Sequence, residues 1–337
     1  MGKKEKAALK EKRRFSNRQL VILSVILVSI VIFGSIISIM LLQTPNKFSL
    51  NAAIIDQLGD DFPNPQFVKE VTSILDNAGF NVTYYKSEEL NVNFFKGLAK
   101  YNYGIIILRV HSALREDGST IDLFTSEKFN PSNHVEELNN GLLVKGVLNY
   151  SHDLKEYFAF TSTFIESLEG SFPKSIVIAM GCWSLKPECK QMAQAFIKKS
   201  VEVYIGWTGL VGTNHTDRET TKLLRMLLEE NKTIADTVDS ITPDWNFPTG
   251  SKMEYHPQTA GSLKISKLIA EAKISFNHQS AVTLFKPVSA VCTTNFIWFR
   301  MRKKFRFDFF LTKLDALWVI DIYDLVTCVY HYGQNIR

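Results

Sequence analysis

Between Leu20 and Leu42 the chain runs for 23 residues without a charge, interrupted only by Ser24, Ser29, Gly34, Ser35 and Ser38. At about 1.5 Å per residue, a helix of that length crosses the roughly 30 Å hydrocarbon core of a bilayer with slight tilt, which predicts a transmembrane segment over 20–42. A cleavable signal peptide carries an apolar core of about 7 to 15 residues and a small-x-small cleavage site. The stretch Ile39-Met40-Leu41-Leu42-Gln43 offers no such site, so the expectation is an uncleaved signal-anchor. Lys3, Lys4, Lys6, Lys10, Lys12, Arg13, Arg14 and Arg18 precede the run, and only Lys47 follows it closely. The positive-inside rule then keeps the basic segment 1–19 in the cytoplasm and puts the main domain outside it. Four Asn-x-Ser/Thr sequons, at Asn81, Asn149, Asn214 and Asn231, suit an exported domain but are close to chance frequency.

That basic end also accounts for the charge of the whole chain. Of the formal +5, residues 1–19 supply a net +6 and the remainder is left at −1. A near-neutral body lacks the distributed cationic face of a nucleic-acid binder, so no nucleic-acid partner is expected. With 45% hydrophobic and 22% charged residues in 337, the chain can bury a large core and is neither a disordered nor a collagen-like polymer. Four cysteines cannot staple a chain of this length, and no Cys/His cluster has zinc-ligand spacing, so no metal site is expected. G-x-G-x-x-G, the P-loop lysine motif, H-E-x-x-H and G-x-S-x-G are all missing, which removes the common nucleotide, zinc-protease and serine-hydrolase templates.

After a linker over 43–50, short apolar runs alternate with longer amphipathic stretches, which predicts an α/β domain over 51–275: a parallel sheet with helices on both faces. Strands are expected over Asn51–Asp56, Val82–Tyr85, Ile105–Leu108 running into Val110-His111, Ser175–Met180 and Val201–Ile205. A helix placing Phe67, Val71, Ile74 and Leu75 on one face ends at Gly79, and others are expected over Phe94–Lys100, Thr161–Leu168, Gln191–Lys199 and Thr233–Ile241. Thr216-x-x-Glu219 fits a capping box opening a leucine-rich helix. Residues 112–160 are polar and irregular, an insertion with hairpin strands around Ile121–Phe124 and Leu142–Leu148. The tail 276–337 changes character, with twelve aromatics between Phe285 and Arg337. Ala281–Phe299 is a weak second membrane candidate there, opposed by Lys286 and Pro287 within it.

In open α/β sheets, ligands and catalytic groups gather at the carboxyl ends of the strands. Those ends carry Asp56, His111, Cys182 and Trp207, and His111 and Cys182 directly terminate central strands. Neighbouring strands lie about 4.8 Å apart, so an imidazole and a thiol at two such ends can face each other. An imidazole that takes the thiol proton yields a thiolate able to attack a carbonyl. A strand ending in His followed by a later strand ending in Cys resembles the caspase, gingipain, legumain and CHAT-domain superfamily of cysteine peptidases, over roughly Asn51 to Ile241. The resemblance includes Tyr157-Phe158-Ala159-Phe160, the Ile176 to Cys182 strand, the Ala193 to Phe196 helix, and Gly206-Trp207-Thr208-Gly209 with Asp217 beyond it. It implies a caspase-like (flavodoxin-like) fold in which His111 is the base and Cys182 the nucleophile. The backbone N–H groups of Ser112 and Cys182 form the oxyanion hole in that reading. Gly181 keeps the small residue usual before the Cys, but Ser112 stands where the superfamily usually has Gly, and its side chain is a candidate to crowd the oxyanion. The local Met180-Gly181-Cys182-Trp183-Ser184 also differs from Q-A-C-x-G, so the chain is not a caspase proper.

Each residue has a plainer alternative. Cys182 fits a core position or a disulfide with Cys189. His215 with Asp217 is a rival base or the capped start of a helix. Asp56 lines a substrate pocket, favouring a basic residue if unpaired, or caps a turn, and Trp207 is a pocket wall or simple packing. The leading expectation is a membrane-anchored, extracytoplasmic cysteine endopeptidase acting on peptide or protein substrates without metal or organic cofactor. A caspase-like surface module that binds peptide without turnover is the rival, and a thiol-dependent acyl transferase a weaker third.

Overall fold

The structure is a computed structural model that describes residues 47–150, 153–247 and 250–274, together with Ile26, Val28 and Ser29. The last three are helical, and the predicted membrane segment 20–42 otherwise lies outside the described residues, as do 1–19 and the tail 276–337. Among the described residues, no helix is long and apolar enough to cross a membrane. Asn46–His278 forms one compact unit, and the fold that follows is that of this unit.

Its frame is a six-stranded sheet built from β1 (Asn51–Asp56), β2 (Asn81–Lys86), β3 (Ile105–Arg109), β8 (Ile176–Ala179), β9 (Val203–Trp207) and β10 (Met253–His256). Their order is β2-β1-β3-β8-β9-β10, parallel throughout except for β10, which runs antiparallel to β9. Successive side chains along a strand point to opposite faces, and here both faces are apolar. Ile54, Ile107, Ile178 and Ile205 are register partners across four strands and form one buried row. Ala53, Ile106, Val177 and Tyr204 form the corresponding row on the opposite face. At about 1.5–3 kcal/mol for each fully buried large side chain, these rows explain why so short a strand as Ile176–Ala179 holds the centre of the sheet.

Helices cover both faces, as the alternating pattern predicts. One core is closed by α1 (Pro65–Ala78), α6 (Thr213–Leu228), α7 (Ile234–Asp239) and a helix over 265–274. The other is closed by α2 (Val92–Gly97), α4 (Ser162–Ser167) and α5 (Gln191–Lys198), together with Leu123, Leu143, Phe158 and Phe160 of a second sheet. Helix α1 follows its sequence signals closely. Asn64 accepts the Phe67 N–H at 3.1 Å, Pro65 opens the first turn, and Gly79 closes the helix at φ 93°, a left-handed conformation that glycine adopts without penalty.

The insertion is more ordered than its composition suggests. It forms a four-stranded sheet, β4 (Ser112–Leu114), β5 (Ile121–Lys128), β7 (Asp153–Phe160) and β6 (Leu143–Tyr150), in the order β4-β5-β7-β6, with the short α3 (Val135–Asn139) between β5 and β6. Two of these strands extend the predicted hairpins, while β4, β7 and the edge strand β10 were not expected. Thr216 and Glu219 do not form the expected capping box: α6 begins at Thr213 with Gly212 as its N-cap, one turn before Thr216. Thr216 lies inside the helix, accepting from Trp207 Nε1 at 2.9 Å and donating to the Met180 carbonyl at 3.2 Å, and Glu219 accepts the Thr242 N–H at 3.0 Å.

Candidate functional site

Strands β3 and β8 are direct neighbours, with Leu108 opposite Ala179 and the Met180 N–H donating to the Leu108 carbonyl at 2.9 Å. The chain leaves β3 through Val110 and His111, and β8 through Met180, Gly181 and Cys182. The two exits touch, because the Ser112 hydroxyl donates to the Cys182 carbonyl at 2.5 Å. This contact is why Gly181 has no room to be anything else. A Cβ there would collide with Ser112 Oγ and stand 2.6 Å from the Val110 carbonyl oxygen. The Ser112 side chain is thus engaged with the carbonyl of the Cys182 turn, tying together the two segments that carry the imidazole and the thiol. Beyond Cys182 the turn is braced on the end of β9. The Trp183 N–H donates to the Gly209 carbonyl at 2.8 Å, the Leu185 N–H to the Trp207 carbonyl at 2.9 Å, and Trp183 takes the left-handed conformation at φ 54°.

Burial favours the neutral form of both His111 and Cys182. Burial brings the His111 imidazole down to about 4; the Arg109 and Lys155 charges act in the same direction and Asp61 against them. Burial likewise pushes the Cys182 thiol up, outweighing hydrogen bonds with the Val211 carbonyl and its own backbone, and the Asp244 carboxylate adds to the rise. The thiol donates to the Val211 carbonyl at 3.7 Å, a sulfur distance. Cys182 and Cys189 are both free thiols, with Cys189 Sγ bonded to the Gly118 carbonyl at 3.2 Å, so the disulfide alternative is not what the fold forms.

Four residues around His111 carry no motif of their own. Gln57 Oε1 accepts the His111 N–H at 2.8 Å. The rings of Phe62 and Phe124 meet the imidazole edge-on at 6.1 and 6.2 Å between centroids. The fourth is Arg109, two residues before His111 and 1% exposed. It donates from Nη1 to Asp56 at 2.6 Å and from Nε and Nη2 to Asp217 at 2.8 and 2.9 Å, while Nη2 also donates to the Phe62 carbonyl at 2.8 Å. Asp56 is therefore spent on an arginine of its own chain, and the pocket role expected of an unpaired carboxylate does not apply to it. Burial and the neighbouring Asp217 raise the Asp56 carboxyl above its usual range, against the pull of Arg109 and of the Tyr84 hydroxyl. The only signal for this cluster in the sequence is an arginine at the end of the most apolar strand, where an unpaired charge is prohibitively costly.

Trp207 is wholly buried, its ring packed under α6 and its Nε1 bonded to Thr216, so packing rather than a pocket wall is its role. Both ring nitrogens of His215, the rival base, are engaged by other groups. Its Nε2 faces the Thr242 carbonyl at 2.8 Å and must carry the proton, while its Nδ1 accepts from Arg218 at 2.9 Å. Asp217, its proposed partner, is bound to Arg109 instead. A cavity of about 160 Å³ opens beside the loop that holds His111, lined by Gln57, Asp60, Asp61, Glu88, Lys128 and Tyr157 among others. A larger groove of about 690 Å³ between α1 and α6 has neither His111 nor Cys182 in its lining. Among the described residues, no three His, Cys, Asp or Glu side chains gather as a metal site. No family model matches the chain, and no curated protein matches it either.

Proposed function

We propose that the chain is a caspase-like cysteine endopeptidase of a flavodoxin-like sheet, held at the membrane by residues 20–42 with its α/β domain outside the cytoplasm. The observation that carries this reading is the placement of His111 and Cys182 on adjoining exits of two neighbouring central strands, joined by the Ser112 to Cys182 hydrogen bond. The strand order 2-1-3 continued by β8 and β9 supports it, since in such sheets the crevice at the carboxyl ends is where substrates sit. From a neutral resting pair, the thiol proton passes to the imidazole as sulfur attacks the scissile carbonyl and the C–S bond forms. The Ser112 and Cys182 N–H groups receive the developing oxyanion. Collapse breaks the C–N bond, the imidazolium protonates the leaving amine, and water activated by His111 hydrolyses the thioester. None of these steps calls on a metal or an organic cofactor.

The test is cleavage of a mixed peptide library by the detergent-solubilised full-length chain, read by mass spectrometry. Cleavage is expected in the wild type, to be abolished in Cys182→Ala and to fall by about 10²- to 10⁴-fold in His111→Ala. One observation favours the rival, a caspase-like module that binds peptide without turnover: the resting thiol is raised and its hydrogen bond runs to Val211. Peptide binding without cleavage in the same assay decides for it.

A further inference from the structure

We propose that Arg109 is the positioning residue of His111, acting through the loop that carries Gln57 and Phe62. The inference rests on the reading of His111 as the base, and it starts from the cost of the cluster. A guanidinium and two carboxylates taken out of water roughly break even against an apolar core of the same volume, so stability alone is a weak reason to bury them. What the cluster does secure is geometry. Arg109 grips the loop after β1 at both ends. At the near end it binds Asp56, the last residue of β1. At the far end it binds the Phe62 carbonyl directly, and Asn64 through Asp217, to which the Asn64 amide donates at 2.9 Å. Between these anchors the loop turns through a short 3₁₀ segment, Gln57–Gly59, closed by the Phe62 N–H on the Leu58 carbonyl at 2.7 Å.

The two residues of this loop that meet His111 are the ones the grip fixes. Gln57 receives its backbone N–H, and Phe62, 37% exposed, meets the imidazole edge-on. The charged groups that act on His111 are Asp61 from the same loop, Arg109 from β3, and Lys155 from β7, which is itself paired with Asp61 at 2.6 Å. A lysine in place of Arg109 keeps the charge but not the fork that serves Asp56, Asp217 and Phe62 together. The loop then loosens, water reaches the imidazole, and the desolvation that dominates its titration is relieved.

The experiment follows the His111 imidazole by NMR in the full-length chain in detergent micelles with labelled histidine, against pH. The wild type is expected to titrate near 4. Arg109→Lys is expected to move His111 up by one unit or more in a folded chain. Phe62→Ala and Gln57→Ala, which leave the cluster intact, are expected to shift it in the same direction, and Phe62→Tyr, which keeps the ring, to restore it. A purely structural cluster predicts instead a lowered melting temperature in Arg109→Lys with the His111 titration unmoved, and that result overturns the proposal. Should Arg109→Lys not fold, the two loop variants decide: an unmoved His111 in both removes the route and overturns it, and a shift sustains it. Peptide cleavage is not read here, so a chain that cleaves nothing fails the proposed function without deciding this coupling.

Discussion

Burial favours the neutral forms of Cys182 and His111, and in the proposed peptidase this separates two ways of activating a thiol. A preformed thiolate beside an imidazolium needs an open, electropositive environment. Here burial drives both groups toward their neutral forms, and the Asp244 carboxylate opposes ionisation of the thiol. Asp244 itself stays charged: burial works against it, but hydrogen bonds from the Gly212 N–H and from Asn246 hold its carboxyl below the usual range. Alkylation of Cys182 by iodoacetamide in the full-length chain is therefore expected to rise with a midpoint above that of free cysteine, about 8.5, because only the thiolate reacts. A midpoint below neutrality, lost in His111→Ala, is the outcome that sinks the neutral pair. The serine after the histidine, which looked from the sequence like an obstacle to the oxyanion, is engaged with the Cys182 carbonyl, and Gly181 is small because of it.

At the scale of elements, the site depends on how β8, β9 and α6 are locked together, and Thr216 is the lock. Its single hydroxyl joins Met180 at the end of β8 to Trp207 at the end of β9 from within α6. Thr216→Val keeps the shape, removes both bonds and leaves the buried Trp207 N–H unsatisfied, for which a loss of about 1–3 kcal/mol is expected in urea unfolding. An unchanged midpoint removes Thr216 from this role. The same threonine shows where sequence reading stops. Ile105-Ile106-Ile107-Leu108 and Ile176-Val177-Ile178-Ala179 announce central strands because both faces of each are buried, although the strands stop at Arg109 and Ala179, short of His111 and Cys182. Thr216-x-x-Glu219 satisfies a capping pattern equally well, but the helix starts a turn earlier at Thr213, after a Gly212 whose N–H is held by the carboxylate of Asp244, far along the chain. Strand β10 is legible only as the partner of β9, and the Arg109 cluster unites residues 56, 109 and 217. Such pairings across long stretches of chain leave no local period to read.

For the molecule as a whole, the buried titratable groups are felt together in the pH dependence of stability. His111 lies at about 4 in the fold against about 6.5 in an unfolded chain, so on acidification the unfolded chain takes up its proton first. The stability this histidine contributes is complete above about pH 6.5 and is lost as pH falls toward 4, an effect of roughly 2–4 kcal/mol at about 1.4 kcal/mol per pKa unit. Asp56 acts in the opposite sense. Its carboxyl is raised in the fold, so there the folded chain binds the proton first, and acidification relieves part of the excess negative charge around Arg109. Asp56 ends β1 and His111 lies just past β3, and on acidification their contributions run in opposite directions. Urea midpoints of the full-length chain in detergent, followed by tryptophan fluorescence, are expected to drop from about pH 6.5 to about 4.5. The profile is expected to flatten in His111→Gln, whose side chain takes up no proton. A wild-type profile without slope, or a slope that His111→Gln leaves intact, places the acid sensitivity of the fold elsewhere than at the end of β3.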